Sequence, residues 1–148
     1  MAYKHILVAV DLTGECQNVI ERAHELAGST EASLHLVHVI EPMTMAFGGD
    51  MPVDLSTLQR QQMELARAQL EALVRQYPRL SAERCHLICG QPRQEVHRLA
   101  RELQCDLIVS GSHGRHGLAL LLGSTANDIL HGAPCDLLAV HLGEPPAA

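Results

Sequence analysis

Tryptophan is absent from this 148-residue chain, and one phenylalanine and two tyrosines make up its 2% of aromatic side chains. That is too few to build the stacking platforms on which single-stranded nucleic acids bind. Lysine is reduced to Lys4 alone, and with 17 acids against 11 Lys and Arg the net charge is −6. No broad basic field is therefore available to a nucleic-acid backbone. Long apolar runs are missing as well. The opening "MAYKHILVAVDL" meets Asp11 after about seven apolar residues, against the roughly 20 that a membrane span requires. It also lacks a small-residue cleavage site, so the expectation is a cytoplasmic chain with no membrane partner. Cysteine is present but unpatterned: five, an odd number, at positions 16, 85, 89, 105 and 135. Cys85 and Cys89 have no second pair at zinc-finger spacing and read as small apolar residues in a reducing compartment.

What the chain does contain is alternation. "KHILVAV" (4–10) is β-rich and ends at Asp11. Thr13 can cap a helix that puts Cys16, Val19, Ile20, Ala23, Leu26 and Ala27 on one face, with Gly28 as its stop. "SLHLVHVI" (33–40) alternates as a strand. The stretch 41–54, with two prolines and a Gly-Gly, reads as a loop: a lid, a dimer contact or a disordered segment. Ser56-x-x-Gln59 resembles a capping box ahead of a helix with Met63, Ala66, Leu70, Leu73, Val74 and Tyr77 inward, ended by Pro78. "CHLIC" (85–89) is a third strand. Pro92 opens a helix facing inward through Val96, Leu99, Ala100 and Leu103. "DLIVSG" (106–111) is the fourth strand, Ser124 or Thr125 starts the last helix, Gly132-Ala-Pro134 stops it, and "DLLAVHL" (136–142) is the fifth strand. Continuous apolar strands separated by helices predict one α/β domain, residues 1–148, with an open, doubly wound, five-stranded parallel sheet and helices on both faces. Ligands of such sheets bind beyond the carboxyl ends of the strands where strand order reverses. Asp11 and Gly111 each sit at a strand end.

Chemistry concentrates in "GSHGRHGLALLLGST" (111–125). Gly111, Gly114 and Gly117 let the backbone turn tightly and approach a ligand. Gly123-Ser124-Thr125 then opens a helix whose free N–H groups and positive dipole end favour an anion. With Arg115, these groups can hold a phosphate chain. The competing reading is a turn followed by an amphipathic stretch in which Leu118, Leu120, Leu121 and Leu122 pack into the core or against a partner. The segment is not a Walker loop, which needs Gly-Lys before its hydroxyl residue, and its glycine spacing is not that of the Rossmann fingerprint. A receiver-type phosphorylation site at Asp11 lacks its neighbouring acids and lysine. His113-x-x-His116 lacks a third metal ligand.

In the same order, "MAYKHILVAVDLT", "LHLVHVIEP" and "CDLIVSGSHGRHGLALLLGSTANDILHGAPCDLLAV" resemble the universal stress protein family across nearly the whole chain. The last stretch carries a G-x-x-G followed by Gly-Ser, the family's nucleotide signature, with eight residues between the two elements (Arg115 to Leu122) where nine are usual. The opening stretch resembles the family's branch that does not bind ATP. The resemblance implies a flavodoxin-like, adenine nucleotide alpha hydrolase-like fold and ATP, with Mg2+ accompanying it, between the ends of the first and fourth strands. Ala9, Val10 and Val39 would line adenine, and Asp11 would accept from ribose hydroxyls. Ser110 and Gly111 would flank base and sugar. His113, Gly114 and Arg115 would approach the phosphates, which Gly123, Ser124 and Thr125 would receive. It also implies a homodimer paired through the C-terminal strand and a stress-response regulatory role with little or no turnover. A dimeric scaffold without nucleotide and a slow ATPase or phosphotransfer protein are the alternatives.

Overall fold

The computed structural model describes residues 3–12, 16–28, 31–42, 55–111 and 132–140. Five strands, β1 (His5–Ala9), β2 (Ser33–Ile40), β3 (Cys85–Cys89), β4 (Leu107–Gly111) and β5 (Asp136–Val140), form one sheet in the order β3-β2-β1-β4-β5. All four pairings are parallel. The chain winds outward from β1 to β3 and then crosses back to lay β4 on the other side of β1. Strand order therefore reverses between β1 and β4, as expected of a doubly wound sheet.

The strands are apolar at nearly every position because both faces are covered. Ile6 and Val8 of β1, Leu34 and Leu36 of β2, and Leu107 and Val109 of β4 pack with α1 (Cys16–Ala27) and α2 (Leu55–Gln76). Leu7, Val37 and Ile108 face the other way, against Val96, Leu99 and Ala100 of α3 (Pro92–Glu102). The period of two along each strand thus sorts one apolar run into two cores.

Helix α1 buries Cys16, Val19, Ile20, Ala23 and Ala27 as its spacing predicts, whereas Leu26 stays 38% exposed at the rim of that face. Gly28 ends it in the left-handed region (φ 53°), which glycine adopts without a Cβ clash. Helix α2 begins at Leu55, so Ser56 lies inside its first turn rather than ahead of it. Its buried stripe is Ala66, Leu70 and Leu73, with Met63 and Val74 only half-buried. Helix α3 starts with Pro92 and ends in a Schellman arrangement: Cys105 N–H donates to the Ala100 carbonyl (2.8 Å) and Gln104 N–H to that of Arg101 (3.1 Å). The left-handed position there is occupied by exposed Gln104 (φ 55°), where glycine is usual.

The start of β1 is tied to β4 by the Asp106 carboxylate, which accepts from the backbone N–H groups of Lys4 and His5, both at 2.9 Å. Burial by itself raises the Asp106 pKa, but these N–H donors outweigh it and hold the carboxyl below its ordinary value. The expected cap Thr13, most of the 41–54 loop, the last helix and the tail lie outside the described residues.

Candidate functional site

Ala9 ends β1 opposite Ser110 of β4 on one side and Val37 of β2 on the other. Asp11, two residues on, is half-buried at the same edge of the sheet, and Gly111 closes β4 there, fully buried and paired with Val140. The fold therefore brings Ala9, Asp11, Ser110 and Gly111 together where strand order reverses. Val39 lies one pleat beyond Val37 and, like Ala9, packs with the core under α3. Alternation puts Ser110 on that same face. Val10 points to the opposite core, under α1 and α2. The three apolar residues expected around the base thus divide, Ala9 and Val39 to one face and Val10 to the other.

The exit from β1 is held firmly. Val10 N–H donates to the Val37 carbonyl (3.0 Å), and the Val10 carbonyl accepts from the His38 ring at Nδ1 (2.8 Å). Because a carbonyl can only accept, Nδ1 must carry the hydrogen. Leu12 then adopts φ 63°, the left-handed region that costs a non-glycine residue about 1–2 kcal/mol. Its side chain packs against the α1–α2 core, which offsets that cost. Neither His38 nor the Leu12 conformation was expected from the sequence. The available signal was a polar residue in register with Leu34 and Leu36 on an apolar strand face.

Electrostatics tie the same residues together. Burial is the main factor that lowers the His38 pKa; the Val10 carbonyl and the Asp11 carboxylate pull it back upward without overcoming burial. The Cys16 thiol, at the start of α1, is pushed up to about 11 by burial first and the Asp11 charge second. It is a packing thiol rather than a nucleophile.

The residues present suit the adenosine end of a nucleotide. Asp11 supplies a carboxylate able to accept from vicinal hydroxyls, and Ala9 and Gly111 leave room for a flat base. Ser110 is only 5% exposed, yet among the described residues its hydroxyl reaches no acceptor nearer than the Gly111 carbonyl at 3.5 Å. That contact is long for an O–H donor. His113, Gly114, Arg115, Gly123, Ser124 and Thr125, expected at the phosphates, lie outside the described residues. A separate cleft of about 330 Å³ opens between α1 and α2, lined by Leu12, Cys16, Gln17, Gln69, Ala72, Leu73 and Gln76. It includes none of the expected site residues. Among the described residues no helix is long and apolar enough to cross a membrane, and no three His, Cys, Asp or Glu side chains are grouped to hold a metal.

Comparison with known proteins agrees with this architecture. Residues 2–141 match the universal stress protein family. The chain is 46% identical over 145 residues to universal stress protein A homolog 1 of Coxiella burnetii, covering 97% of this chain and all of that one. Among solved structures, universal stress protein UspA from Lactobacillus plantarum superposes with a TM-score of 0.73 at 23% identity, covering 95% of this chain and 99% of the other. A universal stress protein described as a complex with cAMP superposes with a TM-score of 0.60 at 20% identity, covering 97% and 100%. A match along nearly the whole length, in sequence and in the parallel β3-β2-β1-β4-β5 sheet, has one meaning: this chain belongs to the universal stress protein family.

Proposed function

We propose that this chain binds an adenine nucleotide, ATP with Mg2+ accompanying its phosphates, at the carboxyl ends of β1 and β4, and that it acts as a dimeric, cytoplasmic regulator of stress responses. The observation that carries the reading is the pairing of Ala9 with Ser110 at the reversal of strand order, with Asp11 beside it. From that point Gly111 leads directly into the glycine segment. Ala9 and Val39 on one face, with Val10 behind, bound the base. Asp11 accepts from the ribose hydroxyls. Ser110 and Gly111 flank base and sugar; His113, Gly114 and Arg115 meet the phosphates, and Gly123, Ser124 and Thr125 receive them on a helix N-terminus. That one structural relative is described as a cAMP complex supports an adenine nucleotide as the class of ligand.

Turnover is expected to be slow. Rapid phosphoryl transfer needs a positioned water and cations matched to the developing charge. The chain's sole lysine, Lys4, precedes β1, at the end of the sheet away from Asp11. Release of phosphate from excess Mg-ATP should stay well below about 1 per second. Dimerisation is assigned to β5, which among the described residues stands last in the sheet with β4 as its partner. An apolar edge of this kind invites antiparallel pairing with its copy.

Calorimetry tests the site. Gly123→Asp, which adds bulk and negative charge at the phosphate end, should abolish ATP binding while leaving circular dichroism unchanged. Asp11→Ala should weaken binding by about 1–3 kcal/mol, as for a hydrogen bond to a charged group. Equal affinities in wild type and Gly123→Asp would place the nucleotide elsewhere or remove it from the account.

A further inference from the structure

His38 is a half-buried imidazole on the α1 side of β2, and the proposed site does not yet use it. Its Nδ1–H donates to the Val10 carbonyl at 2.8 Å. The neighbouring residue of the same strand, Val37, accepts the Val10 N–H at 3.0 Å. Two consecutive β2 residues therefore grip the polar groups on either side of Val10, one through its backbone and the other through its side chain. The peptide between Val10 and Asp11 carries that carbonyl, so its plane is set by the His38 ring. Immediately beyond it the chain passes Asp11 and enters the left-handed turn at Leu12. A backbone conformation of that kind persists only where its surroundings hold it.

We propose that His38 is a positioning residue of the nucleotide site: by clamping the Val10 carbonyl it fixes the backbone at Asp11 and so the direction in which the carboxylate is offered to the ribose hydroxyls. The inference rests on the nucleotide reading above and adds to it the residue that aims the ribose contact. A purely structural His38 would satisfy a strand-end carbonyl and contribute to folding alone. A positioning His38 affects one part of the ligand, the ribose hydroxyls, and leaves the rest of the nucleotide untouched.

The experiment is calorimetry on the full chain with Mg-ATP and Mg-2′,3′-dideoxy-ATP, using wild type, His38→Leu and His38→Asn. Asparagine carries an N–H close to where imidazole Nδ1–H lies, and leucine has none. His38→Leu should lose about tenfold in ATP affinity, the equivalent of one hydrogen bond, and should bind the dideoxy analogue as wild type does. His38→Asn should return ATP affinity to near the wild-type value. Unchanged ATP affinity in His38→Leu, equal losses for both nucleotides, or no recovery with asparagine would overturn the proposal. Should His38→Leu not fold, His38→Met, which likewise carries no N–H, replaces it with the same expectations. If wild type binds neither nucleotide, the nucleotide reading fails separately. The clamp is then judged on the ligand-free protein, where the Asp11 and Leu12 amide resonances should move in His38→Leu and return in His38→Asn. Static resonances would overturn it.

Discussion

Acid should weaken this fold through a pair of histidines that the proposed site does not use. His35 of β2 and His86 of the edge strand β3 face each other with Nδ1 and Nε2 at 3.2 Å and ring centroids at 5.4 Å. One hydrogen fits between those nitrogens; a second would set two N–H groups head to head. Burial is the main factor that lowers both pKa values, and for His35 the charges of His86, Arg84 and His5 lower it further. The native values thus lie below the unfolded value of about 6.5. The stabilisation is complete above that pH and is lost as pH falls through the depressed native values, because the unfolded chain takes up protons that the native pair refuses. Each refused proton costs at most about 1.4 kcal/mol per pH unit. Both rings retain contact with solvent, so screening reduces this to about 1–2 kcal/mol for the pair between pH 6.5 and 5. Urea denaturation at several pH values measures it. Wild type should lose stability over that range, and His86→Gln, which removes one titrating ring and its repulsion, should lose distinctly less. Identical pH slopes in the two proteins, or stability that rises toward pH 5, would refute the reasoning.

Three further outcomes follow from single features. Gln104→Gly should raise stability by about 1 kcal/mol, since the left-handed φ of 55° is strained for glutamine and free for glycine; a loss in thermal denaturation would contradict it. Asp106→Asn should cost about 1–2 kcal/mol by weakening two charge-assisted bonds from Lys4 and His5, and it should flatten the acid limb where that carboxyl titrates; unchanged urea midpoints at pH 7 would contradict it. Sedimentation equilibrium at tens of micromolar should give a species of twice the 16.1 kDa chain mass, and a charge introduced at exposed Ala139 of β5 should return it to monomer; a wild-type monomer would remove β5 as the interface.

The fold was legible because its signals are redundant. A run such as "LIVSG", buried at every position of β4, can belong only to a strand covered on both faces. The helices between such runs leave parallel pairing as the simple solution. Asp11 and Gly111 were legible as strand-end residues, Ser110 entered through the family resemblance, and the sheet order brings the three together. What escaped the sequence depends on position in space. His38 interrupts an apolar face in a way that propensity treats as noise, and the approach of Val10 in space gives its ring a partner. The positive φ of Leu12 and Gln104 is imposed by turn geometry against local preference. The division of Ala9 and Val39 from Val10 follows from the pleat, but only once the strand's limits are known.

The central claim is that this chain carries an adenine nucleotide at the ends of β1 and β4. Its most direct test is mass spectrometry of the small molecules released when freshly purified protein, incubated with Mg-ATP and freed of unbound ligand, is denatured. The account predicts intact ATP in wild type, close to one per chain, and none from Gly123→Asp handled in parallel. Wild-type protein that releases no adenine nucleotide, or as little as Gly123→Asp, would contradict it.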